Sequence, residues 1–270
     1  MDAPKVVLIT GASSGLGLAQ GRLLASRGYR VYGTARNPQN YPEFDAFPLL
    51  SLDVRDDASV AGAVSELVAR EGRIDVLVNN AGMGITGPLE ELPHAESLLT
   101  LETNFHGPLR VMRAVLPHMR HQGGGLIVNV TSIAGYMGLP FRGMYSAGKA
   151  ALHVASEAYR MEVRSFGISV CTLAPGDYAT NIASGRYHSP LREGSPYQDS
   201  YGRSLSLMDA HVDRGGDPAQ VARKLLQIVR SRSPKVHYTV GSPLQRFSVV
   251  LKKCLPDKIY ERLLRNHYKL

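Results

Sequence analysis

The chain has 270 residues, 44% of them hydrophobic and 20% charged, which suits one large α/β core and is unlike a disordered or fibrous chain. Lys and Arg outnumber Asp and Glu by 31 to 23, a formal charge of +8 at pH 7, yet no dense basic run occurs before the last quarter, so nucleic acid is not an expected partner. The two cysteines, Cys171 and Cys254, have neither CxxC nor Cys/His spacing, so no metal site is expected, and their scarcity fits a reducing compartment.

In chain order, short apolar runs alternate with longer helical patterns. Val6 to Thr10 is rich in β-branched residues and does not alternate, which predicts a strand buried on both faces. Leu16 to Arg27 has helical spacing and stops at Gly28, an expected C-cap. Arg30 to Thr34 and Leu49 to Asp53 read as strands. A helix over Ala58 to Glu71 is closed by Gly72, and Asp75 to Asn79 is the fourth strand. Glu96 to Met119 carries one long helical pattern. Gly123, Gly124 and Gly125 break the chain before the strand Leu126 to Val130. A helix from about Tyr145 to Phe166 ends at Gly167, and Ile168 to Leu173 is the sixth strand. This alternation predicts an α/β fold, a Rossmann-type doubly wound parallel sheet of about seven strands with helices on both faces, filling residues 1–240 as one domain.

Two segments depart from the alternation. Residues 177–216 are polar and aromatic and follow the sixth strand, beyond the strand ends where open sheets bind ligands, so they read as a substrate lid. Residues 241–270 mix apolar and basic side chains and predict an amphipathic helical extension divided by Pro256. Docking on the parent domain or a partner subunit is favoured there over peripheral contact with an anionic membrane. No apolar stretch reaches the roughly 18 residues of a membrane span, and the start lacks a signal-peptide pattern, so a soluble, cytoplasmic protein is expected.

Thr10 to Gly17 reads TGASSGLG, between a predicted strand and a predicted helix. Gly11, Gly15 and Gly17 permit a tight turn and close approach to a pyrophosphate. Ser13, Ser14 and Leu16 complete the loop, and the helix N-terminus supplies N–H donors. The second strand ends Thr34-Ala35-Arg36, with no carboxylate for a ribose 2′-hydroxyl. The Arg36 guanidinium suits a 2′-phosphate, with Thr34 as a further hydroxyl, so NADP(H) is preferred and NAD(H) is the alternative. Asp53, beside Val54, ends the third strand, where a carboxylate can accept the adenine amino group. The small residues of Asn80-Ala81-Gly82 leave room for the adenosine ribose.

The fifth strand ends at Ser132, and Tyr145 and Lys149 follow at i and i+4 on a helix, about 5–6 Å apart at Cβ. A free tyrosine titrates near pH 10 and is a poor base; a nearby ammonium favours the tyrosinate. Tyr145 can therefore give a proton to a carbonyl oxygen as hydride arrives, or take it from an alcohol, while Ser132 orients that oxygen.

These motifs, TGASSGLG, NNAG at Asn79, Asn104 in LETNFHG, Ser132, YSAGK at Tyr145 and PG at Pro175, occur in order over about residues 5 to 182. The chain resembles the short-chain dehydrogenase/reductase family in its single-domain branch. The resemblance implies that Asn104 bends its helix and holds a water contacted by Lys149, and that Lys149 binds the nicotinamide ribose. Pro175 and Gly176 would pass beneath the nicotinamide, Thr180 would hold its carboxamide, Asp53 would meet adenine and Asn80 the ribose. Gly148 departs from the pattern, since serine is common just before the lysine. GPLEELP at Gly87, VYGTAR at Val31 and GLPFRGMYSAGKAALH at Gly138 resemble the subgroup containing retinol dehydrogenases and 17β-hydroxysteroid dehydrogenase type 1. A lipophilic ketone or alcohol is the implied substrate, and a homodimer or homotetramer the implied assembly. The expected substrate wall comprises Met83, Ile85, Met137, Leu139, Phe141 and Tyr178, with Tyr187 and Tyr197 from the lid. The alternatives are an NAD(H)-preferring dehydrogenase of a small polar alcohol and a non-enzymatic NADP(H)-binding sensor.

Overall fold

The computed structural model describes residues 3–178, 185–213 and 215–270, with side chains undescribed over 209–213. The elements run β1 (Val6–Ile9), α1 (Gly15–Ala25), β2 (Arg30–Ala35), β3 (Leu49–Ser51), α2 (Asp57–Glu71), β4 (Val76–Asn79), β5 (Ile85–Thr86), α3 (His94–Leu101) and α4 (Gly107–His121). They continue β6 (Gly125–Val130), α5 (Gly143–Glu162), β7 (Ile168–Pro175), β8 (Tyr187–His188), α6 (Gln198–Asp213), α7 (Ala219–Arg230), β9 (His237–Val240), α8 (Pro243–Cys254) and α9 (Asp257–Tyr268).

Among the described residues, seven strands form one sheet in the order β3-β2-β1-β4-β6-β7-β9, and every pairing is parallel. Helices cover both faces, which explains the unbroken apolar runs. Strand residues alternate between two cores. Leu8, Leu77 and Ile127 face the layer with α2 and α4, while Val7, Val78 and Val128 face the layer with α1 and α7. Helix α7 buries Val221, Leu225, Ile228 and Val229 along one stripe. The Rossmann-type fold predicted from the sequence is the fold observed.

Chain direction across the sheet reverses between β1 and β4. Open parallel sheets bind ligands in the crevice at such a switch point, beyond the carboxyl ends of the strands.

The pattern expected as one helix over Glu96 to Met119 is divided. Helix α3 ends at Leu101, a π-turn spans Glu102–His106, and α4 follows. The wider turn carries buried Asn104, a common use of π-bulges at functional sites. Strand β3 ends at Ser51, two residues before the expected end, because Asp53 turns back to bond Arg55. The segment expected as a lid contributes β8, paired with β5, and α6. The terminal segment forms α8 and α9, separated at Pro256. Val249 and Tyr260 pack there on Ile133 and Met137. No helix among the described residues is long and apolar enough to cross a membrane.

Candidate active site

A cleft of about 830 Å³ opens at the switch point. Its first wall is the loop from β1 to α1. Gly11 and Gly15 have φ of +63° and +56°, a region unfavourable to side chains. A Cβ on Gly17 would lie 2.6 Å from both Gly11 O and Asn80 Nδ2, so only glycine lets the helix approach this closely. The α1 N-cap, Ser14, makes no side-chain capping bond, and the first turn holds no acid. The bare N–H groups and the positive dipole end are therefore left for an anion. Thr10 Oγ1 accepts from the N–H groups of Asn80 and Ala81 at 3.0 Å, tying β4's end to the loop. Asn80 Nδ2 donates to the carbonyls of Thr10 and Gly11. Thr34 is buried, and its Oγ1 accepts from the Gly11 N–H at 3.2 Å, so its hydroxyl shapes the loop.

Arg36 is exposed on the cleft wall at the end of β2. Beside it, Asp53 is gripped by Arg55, with Nε 2.9 Å from Oδ1 and Nη2 2.6 Å from Oδ2. This pairing, with Arg36 nearby, holds the Asp53 carboxyl below its usual range. Arg55 was not among the residues singled out from the sequence; an arginine two residues after a strand-end aspartate is its signal. Val54, Ala81 and Gly82 also line the cleft.

The second wall carries Ser132, Tyr145 and Lys149. Ser132 Oγ accepts from the Ala134 N–H at 3.1 Å and lies 3.4 Å from Pro175 O, which fixes its direction. Lys149 is buried and donates to Val130 O at 3.0 Å; burial pushes its ammonium below the usual lysine range, opposed by Tyr145. Its Nζ lies 5.9 Å from the Tyr145 ring centroid. Asn104, fully buried on the π-turn, pairs with Met83 through both backbone groups, at 2.9 and 2.8 Å. A Cβ on Gly82 would lie 3.0 Å from Asn104 Oδ1 and 3.4 Å from Lys149 Nζ, so glycine keeps that junction open.

Arg142, one turn before Tyr145, has its guanidinium 5.2 Å from the Tyr145 ring centroid and 3.7 Å from Asp177 Oδ1. Asp177 also accepts from Gln245 of α8 at 3.0 Å, and the buried Tyr268 of α9 lies within electrostatic reach of Arg142 and Asp177. Helix α5 is thus braced by the terminal segment, a long-range arrangement with no local sequence signal.

Met83, Pro175, Gly176 and Tyr178 line the cleft; Met137 and Phe141 do not. Met137 is buried beneath α9, and its sulfur accepts from Tyr260 Oη at 2.7 Å. Phe141 has a φ of 57° and packs on Tyr201, with ring centroids 5.3 Å apart. Tyr197 donates to Glu90 outside the cleft. Thr180 lies outside the described residues.

The short chain dehydrogenase family model matches residues 5–190. The chain belongs to the short-chain dehydrogenase/reductase family. It is 38% identical over 268 residues to a 3-ketodihydrosphingosine reductase from Bacteroides thetaiotaomicron, covering 99% of each chain. It is 32% identical over 274 residues to human 17-beta-hydroxysteroid dehydrogenase type 1, covering 94% of this chain and 82% of that one. Its fold matches the crystal structure of a short chain dehydrogenase from Burkholderia cenocepacia in complex with NADP, with a TM-score of 0.77 and 25% identity over 98% and 99% of the two chains. As a short-chain dehydrogenase/reductase, the protein is an oxidoreductase, and the cleft with its uncapped helix and bare glycines fits a nicotinamide dinucleotide.

Proposed function

We propose that this protein is an NADP(H)-dependent reductase of a lipophilic ketone. One observation carries the reading: Ser132, Tyr145 and Lys149 share a cleft with the uncapped N-terminus of α1. The dinucleotide would supply hydride to the carbonyl carbon. Tyr145 gives its phenolic proton to the carbonyl oxygen, and Ser132 Oγ donates a hydrogen bond to the same atom. Lys149, held by Val130 O, keeps an ammonium beside the tyrosine and favours its anion once the proton has left. Asn104 holds the loop at Met83 that borders this site.

Arg36, with no acid at the end of β2, supports NADP(H) over NAD(H). Met83 and Leu99 on the wall, and the substrate named for the Bacteroides relative, support a long-chain ketone. The charged pair Arg142 and Asp177 on the same wall favours a second reading, a small polar alcohol. The exposed Val154 and Met161, one heptad apart on α5, support a homo-oligomer.

The test is NADPH oxidation with a panel of ketones from short and polar to long-chain, including 3-ketodihydrosphingosine. Long-chain ketones are expected to be reduced fastest. Tyr145→Phe should abolish turnover and leave NADPH binding intact; unchanged turnover would sink the assignment.

A further inference from the structure

The terminal helices present an apolar and basic surface that the catalytic reading does not use. Residues 241–270 hold seven Lys/Arg against two acids, so five of the chain's eight net positive charges fall there. Among the described residues only Lys252 of these cations has a carboxylate partner, Asp257 at 2.7 Å. On α8, Leu244, Phe247 and Val250 are 72%, 53% and 51% exposed, and their spacing of three puts them on one face. The opposite face, with Val249, is buried against Ile133 and Met137. On α9, Ile259 and Leu263 are exposed one turn apart, flanked by Lys258, Arg262 and Arg265, while Tyr260 and Tyr268 point inward.

We propose that α8 and α9 form a docking surface for an anionic lipid bilayer, set beside the mouth of the active-site cleft. Exposed apolar side chains flanked by unpaired cations are the physical signature of a helix lying in a headgroup layer. Charge decides against a second copy of the chain. A two-fold contact through the same face would bring each copy's unpaired cations against the other's. The position gives the surface a use. Gln245 of α8 holds Asp177, and Tyr268 of α9 reaches Arg142, both residues of the cleft wall. A docked protein would hold that wall near the membrane in which a long-chain ketone dissolves. This purpose rests on the proposed function; the lipid binding does not.

The full-length protein is sedimented with vesicles of phosphatidylcholine alone and of phosphatidylcholine with phosphatidylglycerol. Binding is expected to the anionic vesicles, about ten-fold stronger than to the neutral ones and weakened by salt. The double variant Phe247→Glu with Leu263→Glu should lose it, and Arg262→Glu with Arg265→Glu should weaken it about ten-fold. Both should still reduce a short, water-soluble ketone at the parent rate, since the four positions are exposed. No binding by the parent protein, or equal binding by both variants, overturns the proposal. So does a parent dimer that ignores vesicles and is dissociated by the first variant. If no ketone is reduced but anionic vesicles are bound, the proposed function fails and the docking surface stands.

Discussion

Replacing Arg36 by Asp tests the choice of dinucleotide. Arg36 is exposed on the cleft wall, while the neighbouring cation, Arg55, already grips Asp53 through two nitrogens. The charge of Arg55 is already balanced by that carboxylate, which weakens its pull on a 2′-phosphate. A charge-assisted hydrogen bond is worth about 1.5–3 kcal/mol, and solvent exposure places Arg36 toward the lower end, about 2 kcal/mol. A carboxylate at the same exposed place adds repulsion of about 1 kcal/mol at the dielectric of bulk water. Together these give about 3 kcal/mol, or roughly a hundred-fold change in relative specificity. The assay is kcat/KM for NADPH and for NADH with one ketone. Arg36→Asp should lower the NADPH-to-NADH ratio about a hundred-fold, and added salt should narrow the parent preference. A ratio that moves less than about threefold would refute the role given to Arg36.

Further outcomes follow from the same geometry. Gly17→Ala places a methyl 2.6 Å from Gly11 O and Asn80 Nδ2, so the phosphate loop must shift. Overpacking of this kind costs about 1–3 kcal/mol, read as a lower Tm and at least about ten-fold weaker dinucleotide binding in a fluorescence titration. Unaltered binding would show that the close approach is dispensable. His153, stacked on His237 and facing Glu157 and Lys253, is pushed by burial from 6.5 down to about 4. The unfolded chain therefore takes up this proton first, and stability falls as pH drops from 6.5 to about 4, by up to about 3 kcal/mol. His153→Leu should flatten that part of the stability curve in pH-dependent unfolding; an identical slope in the variant would assign the acid sensitivity elsewhere.

The parts legible in the sequence are those whose chemistry is local. The glycine loop before α1 and the Tyr145–Lys149 spacing are fixed by neighbours within a turn or two, so the motif and the geometry coincide. Buried strands were legible because helices on both faces demand unbroken apolar runs. The π-turn at Asn104 was not, since one extra residue per turn hardly disturbs a helical apolar pattern. Met137 and Phe141 share the composition of a pocket wall, but which way a loop side chain turns depends on distant partners, Tyr260 for one and Tyr201 for the other. Thr34 reads as a free hydroxyl at a strand end; only the fold puts it beneath the Gly11 N–H.

The bracing of Arg142 and Asp177 by Gln245 and Tyr268 also orders events as the chain leaves the ribosome. Synthesis delivers the N-terminal elements first. The phosphate loop is complete once β4 joins β1, before residue 83. The wall around Tyr145 must wait for the final helix. A nascent chain would then present the glycine-rich loop early, while Lys149, Pro175 and Gly176 on the far side of the cleft arrive only with the second half of the sheet.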